Sequence, residues 1–225
     1  MVEAKTTPRN KKNNVRIIII GDQAVGKSSL LMRYCEDTFT LNMMGTAGLD
    51  FKKKTIDFKD ETINVLFYDS AGHDRFRHIV TQHYKGAKGI ILTYDITDKN
   101  SFINVNDWMK NIKENADSNA EILLLGNKTD LSEERTVNYE EGVELSKKFS
   151  VEFYETSAKT GENTSQAFYS LIMRIFNNPL LNADIFQQSL KTENEEKKEE
   201  NPINLNQKSK NENKKKEGSS CFKCG

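Results

Sequence analysis

The run from Gly21 to Ser28, Gly-Asp-Gln-Ala-Val-Gly-Lys-Ser, contains the residue types needed to bind a chain of phosphates. Glycines let successive backbone N–H groups turn toward one anion, and the N-terminus of a following helix adds positive potential. Lys27 supplies a mobile positive charge, and the Ser28 hydroxyl is a hard oxygen ligand of the kind that Mg²⁺ prefers. The motif predicts a polyphosphate site with contacts from Gln23, Ala24, Val25, Gly26, Lys27, Ser28 and Ser29.

Three short motifs further along the chain add chemistry to this loop. Asp69-Ser70-Ala71-Gly72 offers a carboxylate that can hold Mg²⁺ through a water, and a glycine N–H for the γ-phosphate. In Asn127-Lys128-Thr129-Asp130, the Asp can accept hydrogen bonds from N1–H and the N2 amine of guanine, a donor pair that adenine lacks. Ser157-Ala158-Lys159 can supply a backbone N–H to the guanine O6. The expected ligand is a guanine nucleotide, held by Asp69, Gly72, Asn127, Lys128, Asp130, Ser157, Ala158 and Lys159.

Each motif follows a run with the character of a buried strand. The first run, Val15–Ile20, is β-branched and apolar, and Ser29–Cys35 after the loop has the composition of a helix. The other strand-like runs are Leu49–Phe58, Thr62–Tyr68, Gly89–Tyr94, Ala120–Leu125 and Val151–Tyr154. The short link at residues 59–61 predicts a hairpin, whereas helical stretches between the remaining runs favour parallel crossovers.

Two segments carry apolar residues at helical spacing, which indicates helices that face the core. These residues are Phe102, Val105, Trp108, Met109 and Ile112, and then Phe168, Leu171, Ile172, Ile175 and Phe176. Together the elements predict an α/β three-layer sandwich, with a six-stranded, mostly parallel sheet and one antiparallel hairpin edge. Ligands of such sheets bind at the carboxyl ends of the strands, where the phosphate loop lies.

Composition limits the remaining possibilities. The 225 residues, 36% of them hydrophobic, suffice for one substantial core, and 33 basic against 33 acidic residues give no field that favours nucleic acid. The three cysteines indicate no disulfide framework, which is typical of a reducing compartment. We expect a flexible basic arm at 1–14, one domain at 15–177 and a disordered tail at 178–225. The apolar residues of 179–190 are expected either to dock on the domain or to extend its last helix.

At this point whole segments resemble the Ras-like small GTPases, and among them the Rab family. Thr46–Phe51 resembles the Rab segment TIGVDF, Tyr68–Ile79 resembles WDTAGQERFRTI, residues 83–87 resemble YYRGA, and residues 92–97 resemble LVYDIT. The resemblance covers about residues 12–177. It implies the fold of a P-loop NTPase and a GTP/GDP switch that hydrolyses GTP with Mg²⁺ and regulates vesicle traffic.

The resemblance also implies roles for single residues. Thr46 would join Ser28 and Asp69 at Mg²⁺ and sense the γ-phosphate through its backbone, Gly72 would do the same for the second switch, and Phe39 would lie against the guanine face. Effectors would bind the switch regions 38–51 and 69–84. Exchange factors, GTPase-activating proteins and a GDP-dissociation inhibitor are the expected regulators of a monomer that cycles between cytosol and the cytoplasmic face of intracellular membranes.

Two features of the switch segments qualify this picture. His73 stands where the family usually carries the glutamine that orients the attacking water, which predicts slow intrinsic hydrolysis. The alternative is that His73 is a tolerated surface residue. Phe51, Tyr68 and Tyr84 resemble the aromatic triad that bridges the switches of Rab proteins, and core packing is the equal alternative.

The chain ends in Cys221-Phe222-Lys223-Cys224-Gly225, and prenylation of Cys221 and Cys224 is the expected use. Zinc or redox use of this pair would need further ligands or a βαβ frame. Lysines close to the cysteines would help at an anionic membrane surface. Two other functions remain open: a hydrolysis-deficient, GTP-loaded membrane scaffold, and a metabolic P-loop kinase or ATPase, which Asp130 disfavours.

Overall fold

A six-stranded sheet forms the centre of the computed structural model, which describes residues 13–41, 45–46, 48–59, 61–70, 72, 77–183 and 185. The strand order is β2-β3-β1-β4-β5-β6, and only the β2–β3 pair is antiparallel. This confirms the predicted α/β architecture. The strands are β1 (Asn13–Ile20), β2 (Leu49–Phe58), β3 (Glu61–Ser70), β4 (Gly89–Asp95), β5 (Glu121–Asn127) and β6 (Glu152–Thr156).

Helices cover both faces of the sheet. They are α1 (Lys27–Glu36), α2 (Arg77–Gln82), α3 (Lys99–Ile103), α4 (Val105–Asn115), α5 (Tyr139–Phe149) and α6 (Thr164–Asn177), with a 3-10 helix at Thr129–Glu134. Across the described ranges, no helix has both the length and the apolar character that a membrane span requires.

The predicted apolar stripes fill two separate cores. The stripe of α6 packs with α1 on one face of the sheet, and the stripe of α4 packs with α2 and β4 on the other. The predicted stripes are thereby confirmed, except that Phe102 is only half-buried. Trp108 of α4, the single tryptophan of the chain, is 2% exposed.

Four strands, β3 to β6, extend past the carboxyl ends of their predicted runs. The β3 strand runs on to Ser70 and β5 to Asn127, so both include polar residues that the prediction placed after the strand. These polar residues belong to the strands because they pair with residues of neighbouring strands. Asp69 pairs with Ile19, and Asn127 lies between Asp95 and Thr156. The backbone hydrogen bonds of neighbouring strands therefore hold these polar side chains at the carboxyl edge of the sheet.

The core continues past α6. Residues 179–183 and 185 are helical, and within them Leu181 and Ile185 are buried against the α1–α6 core, whereas Leu180 is exposed. This agrees with the expected docking of the segment. Of the expected arm at 1–14, residues 1–12 lie outside the described residues, whereas Asn13 and Asn14 belong to β1. Of the expected tail at 178–225, residue 184 and residues 186–225 lie outside them.

The outer edge of the sheet is β2, which carries three consecutive lysines. Lys52 pairs with Glu36 at 2.6 Å, Lys54 donates to the carbonyl oxygen of Tyr34 at 2.6 Å, and Lys53 between them is exposed on the opposite face. Two of the three ammonium groups thus hold β2 against α1.

Candidate functional site

A cavity of about 470 Å³ opens at the carboxyl edge of the sheet, as predicted, and its size is that of a small-molecule site. It is lined by Gln23, Ala24, Gly26, Lys27, Ser28, Ser29, Phe39, Thr40, Leu41, Gly45, Thr46, Ser70, Gly72, Asn127, Lys128, Asp130, Leu131, Ala158 and Lys159. Most of the predicted contact residues thus share one cavity. Val25, Asp69 and Ser157 lie behind the lining and hold it through hydrogen bonds.

The loop between β1 and α1 is shaped by two close approaches of backbone. Gly26 has a φ of 96°, and a Cβ there would lie 2.2 Å from the Asn127 Nδ2 atom. A Cβ on Gly72 would lie 2.4 Å from the backbone of Asp22. Only glycine fits either place. The loop is consequently tight enough for its N–H groups and the start of α1 to surround an anion.

Lys27 is the first residue of α1 and is 5% exposed. Its ammonium donates to the carbonyl oxygens of Gly21 at 2.9 Å and Asp22 at 2.6 Å. Burial lowers the pKa of Lys27 to about 8, although the carboxylates of Asp69 and Asp22 oppose this shift. A buried ammonium with two neutral acceptors is stabilised by any further negative charge, such as a phosphate.

Three oxygen-bearing side chains from separate segments meet beside Lys27. The Ser28 hydroxyl donates to Asp69 Oδ2, Ser28 Oγ lies 2.9 Å from Thr46 Oγ1, and Thr46 Oγ1 lies 3.3 Å from Asp69 Oδ2. Among the described residues, the other carboxylate oxygen of Asp69 is buried and has no hydrogen-bond partner, and burial raises the pKa of this carboxyl. Hard oxygens around an unsatisfied carboxylate fit Mg²⁺, as the sequence predicts.

The opposite end of the cavity holds the carboxylate of Asp130. Ser157 Oγ donates to Asp130 Oδ1 at 2.6 Å, and Lys159 Nζ lies 3.4 Å from Asp130 Oδ2. These contacts orient the carboxylate from the motif that follows β6. A fixed pair of acceptor oxygens matches the two adjacent donors of guanine.

Asn127, 1% exposed, joins the two ends of the cavity. Its Nδ2 donates to the Val25 carbonyl oxygen at 2.8 Å, and its Oδ1 accepts from the Ala158 N–H at 3.2 Å. The adjacent Lys128 has a φ of 74°, and its ammonium lies 2.5 Å from Asp95 Oδ2. From the sequence, no role is assigned to Asp95. Its position at the end of the buried strand β4 is the feature that could have indicated one.

Arg33 is a second residue that sequence reasoning missed. Its Nε and Nη2 donate to the carbonyl oxygens of Ala158 and Lys159, each at 2.9 Å, and its Nη1 reaches the carbonyl oxygen of Asp37 at 3.1 Å and the Asp37 carboxylate at 2.8 Å. It therefore connects the end of the cavity formed by Asp130, Ala158 and Lys159, here called the base end, to the segment that leads to Phe39. An arginine on a predicted helix gives no sign of this contact.

Two other missed features are simpler. Ser70 lines the cavity and donates to the Ile19 carbonyl oxygen at 2.7 Å, which joins the ends of β1 and β3. Thr40, Leu41, Gly45 and Leu131 line the cavity beside predicted residues, so proximity to the motifs was the available signal.

The aromatic strip on the switch side differs from the expected triad. Tyr84 is fully buried, so core packing, the alternative reading, is confirmed for it. The ring of Tyr68 instead contacts Phe51 at a centroid distance of 6.3 Å and stacks on His83 at 5.9 Å. Phe51 is 61% exposed, so the accessible strip consists of Phe51, Tyr68 and His83.

Three predicted residues lie outside the described ones. His73 is the proposed catalytic position, and Cys221 and Cys224 are the proposed lipid sites. Their assignments stay predictions.

Comparison with known proteins agrees with this geometry. A sequence model of the Ras family matches residues 16–177. The chain is 46% identical to Ras-related protein Rab-13 of Canis lupus familiaris over 156 residues, which are 69% of this chain and 77% of the relative. It is 40% identical to GTP-binding protein ypt2 of Schizosaccharomyces pombe over 191 residues (85% and 90%), and 44% identical to Ras-related protein RABE1e of Arabidopsis thaliana over 158 residues (70% and 72%). The chain therefore belongs to the Rab family of Ras-like small GTPases.

Proposed function

We propose that this Rab GTPase uses the cavity between Lys27 and Asp130 to read the state of one guanine nucleotide and to signal it on intracellular membranes during vesicle traffic. As a member of its family, the protein binds GTP and GDP with Mg²⁺ and hydrolyses GTP. The observation that carries the proposal is the single cavity with a buried ammonium at one end and an oriented carboxylate at the other.

At the base end, Asp130 accepts from guanine N1–H and N2–H. The Ala158 N–H, which lies 3.2 Å from Asn127 Oδ1, would share its donation with guanine O6. Adenine would place an acceptor and a C–H against the Asp130 carboxylate, so both of its oxygens would lose their partners. Phe39 and the stem of Lys128 line the same end and are suited to cover the two faces of the base.

At the phosphate end, Lys27 and the N-terminus of α1 bind the β- and γ-phosphates. Ser28 and Thr46 would hold Mg²⁺ directly, with Asp69 through a water. The cation would neutralise charge on the phosphates as the terminal bond breaks. The orphaned oxygen of Asp69 supports this assignment, since a buried carboxylate oxygen needs a partner.

The switch works by two backbone contacts to the γ-phosphate, from Thr46 and Gly72. Hydrolysis removes both contacts, so the segments 38–51 and 69–84 relax and effectors lose their surface. The accessible rings of Phe51, Tyr68 and His83 supply aromatic contact area to that surface.

For the chemical step, His73 orients the attacking water less well than glutamine. A rigid imidazole lacks the adjacent donor and acceptor of an amide. Single-turnover hydrolysis should therefore be faster in His73→Gln than in the wild type. Equal rates would contradict this role of His73.

The membrane anchor is proposed at Cys221 and Cys224. Two lipids give stable attachment where one is marginal, and regulators of the family would cycle a monomer between membrane and cytosol. Intact mass of the protein extracted from its native membrane should show prenyl groups on these residues. Unmodified cysteines in that preparation would overturn the anchor.

The whole proposal is tested by nucleotide affinity and location. GDP should bind far more tightly than ADP, and a copy tagged at its N-terminus should reach an internal membrane only while Cys221 and Cys224 are intact. Comparable affinities for GDP and ADP would reject the guanine switch in favour of a metabolic nucleotide enzyme.

A further inference from the structure

The side chain of Asp22, within the phosphate loop, is held by a helix that contributes nothing to the cavity lining. Asn104 Nδ2 donates to Asp22 Oδ2 at 2.7 Å, and Trp108 Nε1 donates to Asp22 Oδ1 at 2.7 Å. Both carboxylate oxygens therefore accept short hydrogen bonds from the α3–α4 segment. Bonds to a charged acceptor are stronger than neutral ones.

Asn104 makes its bond to Asp22 in place of a helix cap, and Trp108 is held by the core around it. Asn104 stands at the N-terminus of α4, where an asparagine usually caps the helix, yet its side chain makes no capping bond. Trp108 is fixed in the buried core that α4 shares with Val80 and Tyr84 near the second switch. The donors are consequently rigid, and Asp22 is positioned against a firm part of the fold.

The backbone of Asp22 lies where the parts of the phosphate end meet. Its carbonyl oxygen accepts from the Lys27 ammonium at 2.6 Å. Its backbone carbon and oxygen also lie closest to Gly72, where a Cβ would come within 2.4 Å. A shift of the Asp22 backbone would therefore move both the charge that binds phosphate and the glycine that senses it.

We propose that Asp22 is a positioning residue, which couples the α3–α4 segment to Lys27 and Gly72 through Asn104 and Trp108. This inference rests on the proposed function of the cavity. Loss of the tether loosens the phosphate end and leaves the base end unchanged, because the contacts of Asp130 come from Ser157 and Lys159. GDP release becomes faster, GTP hydrolysis becomes slower, and selectivity for guanine stays the same.

The test compares Asp22→Asn and Asn104→Ala with Asn106→Ala as the matched control. The Asn106 side chain lies two residues further along, is exposed and donates to the Ile103 carbonyl oxygen, away from the cavity. Each test variant should release GDP about ten-fold faster and hydrolyse GTP about ten-fold more slowly in a single turnover, the effect of losing a charge-assisted hydrogen bond. The control should match the wild type in both rates.

A merely structural role is distinguished by rescue. The double variant Asp22→Asn with Asn104→Asp reverses donor and acceptor, so one bond reforms and part of both rates should return. The fluorescence of Trp108, the only tryptophan, should change on exchange of GDP for GTP in the wild type and change less in Asp22→Asn. Melting temperatures measured with bound GDP confirm that each variant is folded.

Two results would overturn the inference. One is a set of rates in Asp22→Asn and Asn104→Ala equal to those of the Asn106→Ala control. The other is a fall in the preference for GDP over ADP that accompanies the change in release, since this would place the effect at the base end. Failure of the wild type itself to prefer GDP would instead reject the proposed function.

Discussion

At the base end of the cavity, polar side chains from three segments are paired with one another. At the magnesium corner, formed by Ser28, Thr46 and Asp69, three oxygen ligands crowd together, and one carboxylate oxygen has no hydrogen-bond partner among the described residues. Asp130 is held by Ser157 and Lys159, and Lys128 by Asp95. Asp69, in contrast, has a buried oxygen to which no group in the described part of the chain donates, and burial raises the pKa of its carboxyl.

Under the proposed function, this difference separates recognition of guanine, at the base end, from switching, at the magnesium corner. A base end that is already satisfied costs little to organise when guanine binds, so it selects the same base in both nucleotide states. At the magnesium corner the described protein groups leave one carboxylate oxygen of Asp69 unsatisfied, so the geometry there depends on the ligand that completes it. Four changes should break or sharpen this contrast, and they follow in order of expected effect.

The largest effect is expected from Asp130→Asn, which puts an amide donor against the donors of guanine. Affinity for GDP should fall by about 10³-fold or more, because mismatched buried polar groups lose their partners. Affinity for xanthosine diphosphate should rise, since its C2 carbonyl accepts from the new amide. Competition binding measures both, with the exposed Asp57→Asn as control; retained GDP affinity would contradict the role of Asp130.

At the other end, Ser28→Ala removes one oxygen ligand from the magnesium corner. GDP release in the presence of Mg²⁺ should become roughly 100-fold faster, the scale expected when a metal site loses a supporting group. A chelator should speed release strongly in the wild type and little in the variant. The exposed Ser165→Ala serves as control, and an undiminished chelator effect in Ser28→Ala would argue against this site.

The titration of Lys27 gives a third test. Its pKa of about 8 should rise when phosphates bind, so binding takes up a proton above that pH. GDP affinity should then fall by up to about ten-fold per pH unit above 8. The stability of the nucleotide-free protein depends on pH with the opposite sign. Between pH 8 and 10.5 the unfolded chain binds more protons at Lys27 than the folded protein does, so the free energy of unfolding rises with pH there. Calorimetry in two buffers, below the pH at which guanine ionises, detects the uptake.

The smallest effect is expected from Arg33→Lys at the base end. Lysine keeps the charge but cannot reproduce the guanidinium contacts to the carbonyl oxygens of Ala158 and Lys159. GDP release should become several-fold faster, about the value of one or two hydrogen bonds, with Mg²⁺ dependence unchanged. Arg174→Lys, which also loses a bond to a carbonyl oxygen, is the matched control distant from the cavity.

The sequence predicted those parts of the site that can be recognised from residue types and from the order of motifs along the chain. Strand runs, the phosphate loop and the strand-end motifs follow from local composition, because a β-branched run and a glycine turn carry their conformation with them. The side chains of Lys27, Asp69, Asn127 and Asp130 therefore lie near the expected edge.

The remaining contacts depend on side-chain direction, which local composition does not determine. His83 and Tyr84 are neighbours, and the turn after α2, with His83 N–H donating to Val80 and Tyr84 N–H to Thr81, decides which ring contacts Tyr68. The bonds of Asp22 to Asn104 and Trp108 join residues more than eighty positions apart. Only the assembled sheet brings such pairs together.

The lysines of β2 have a consequence for behaviour at high local concentration. In the described part of the chain β2 has no strand partner on its outer side, so its peptide groups could template pairing with a second molecule. Another copy approaching edge to edge would bring its own exposed Lys53 close to this one, and like charges repel at that spacing. The charge on this edge thus disfavours edge-to-edge association between copies of the chain.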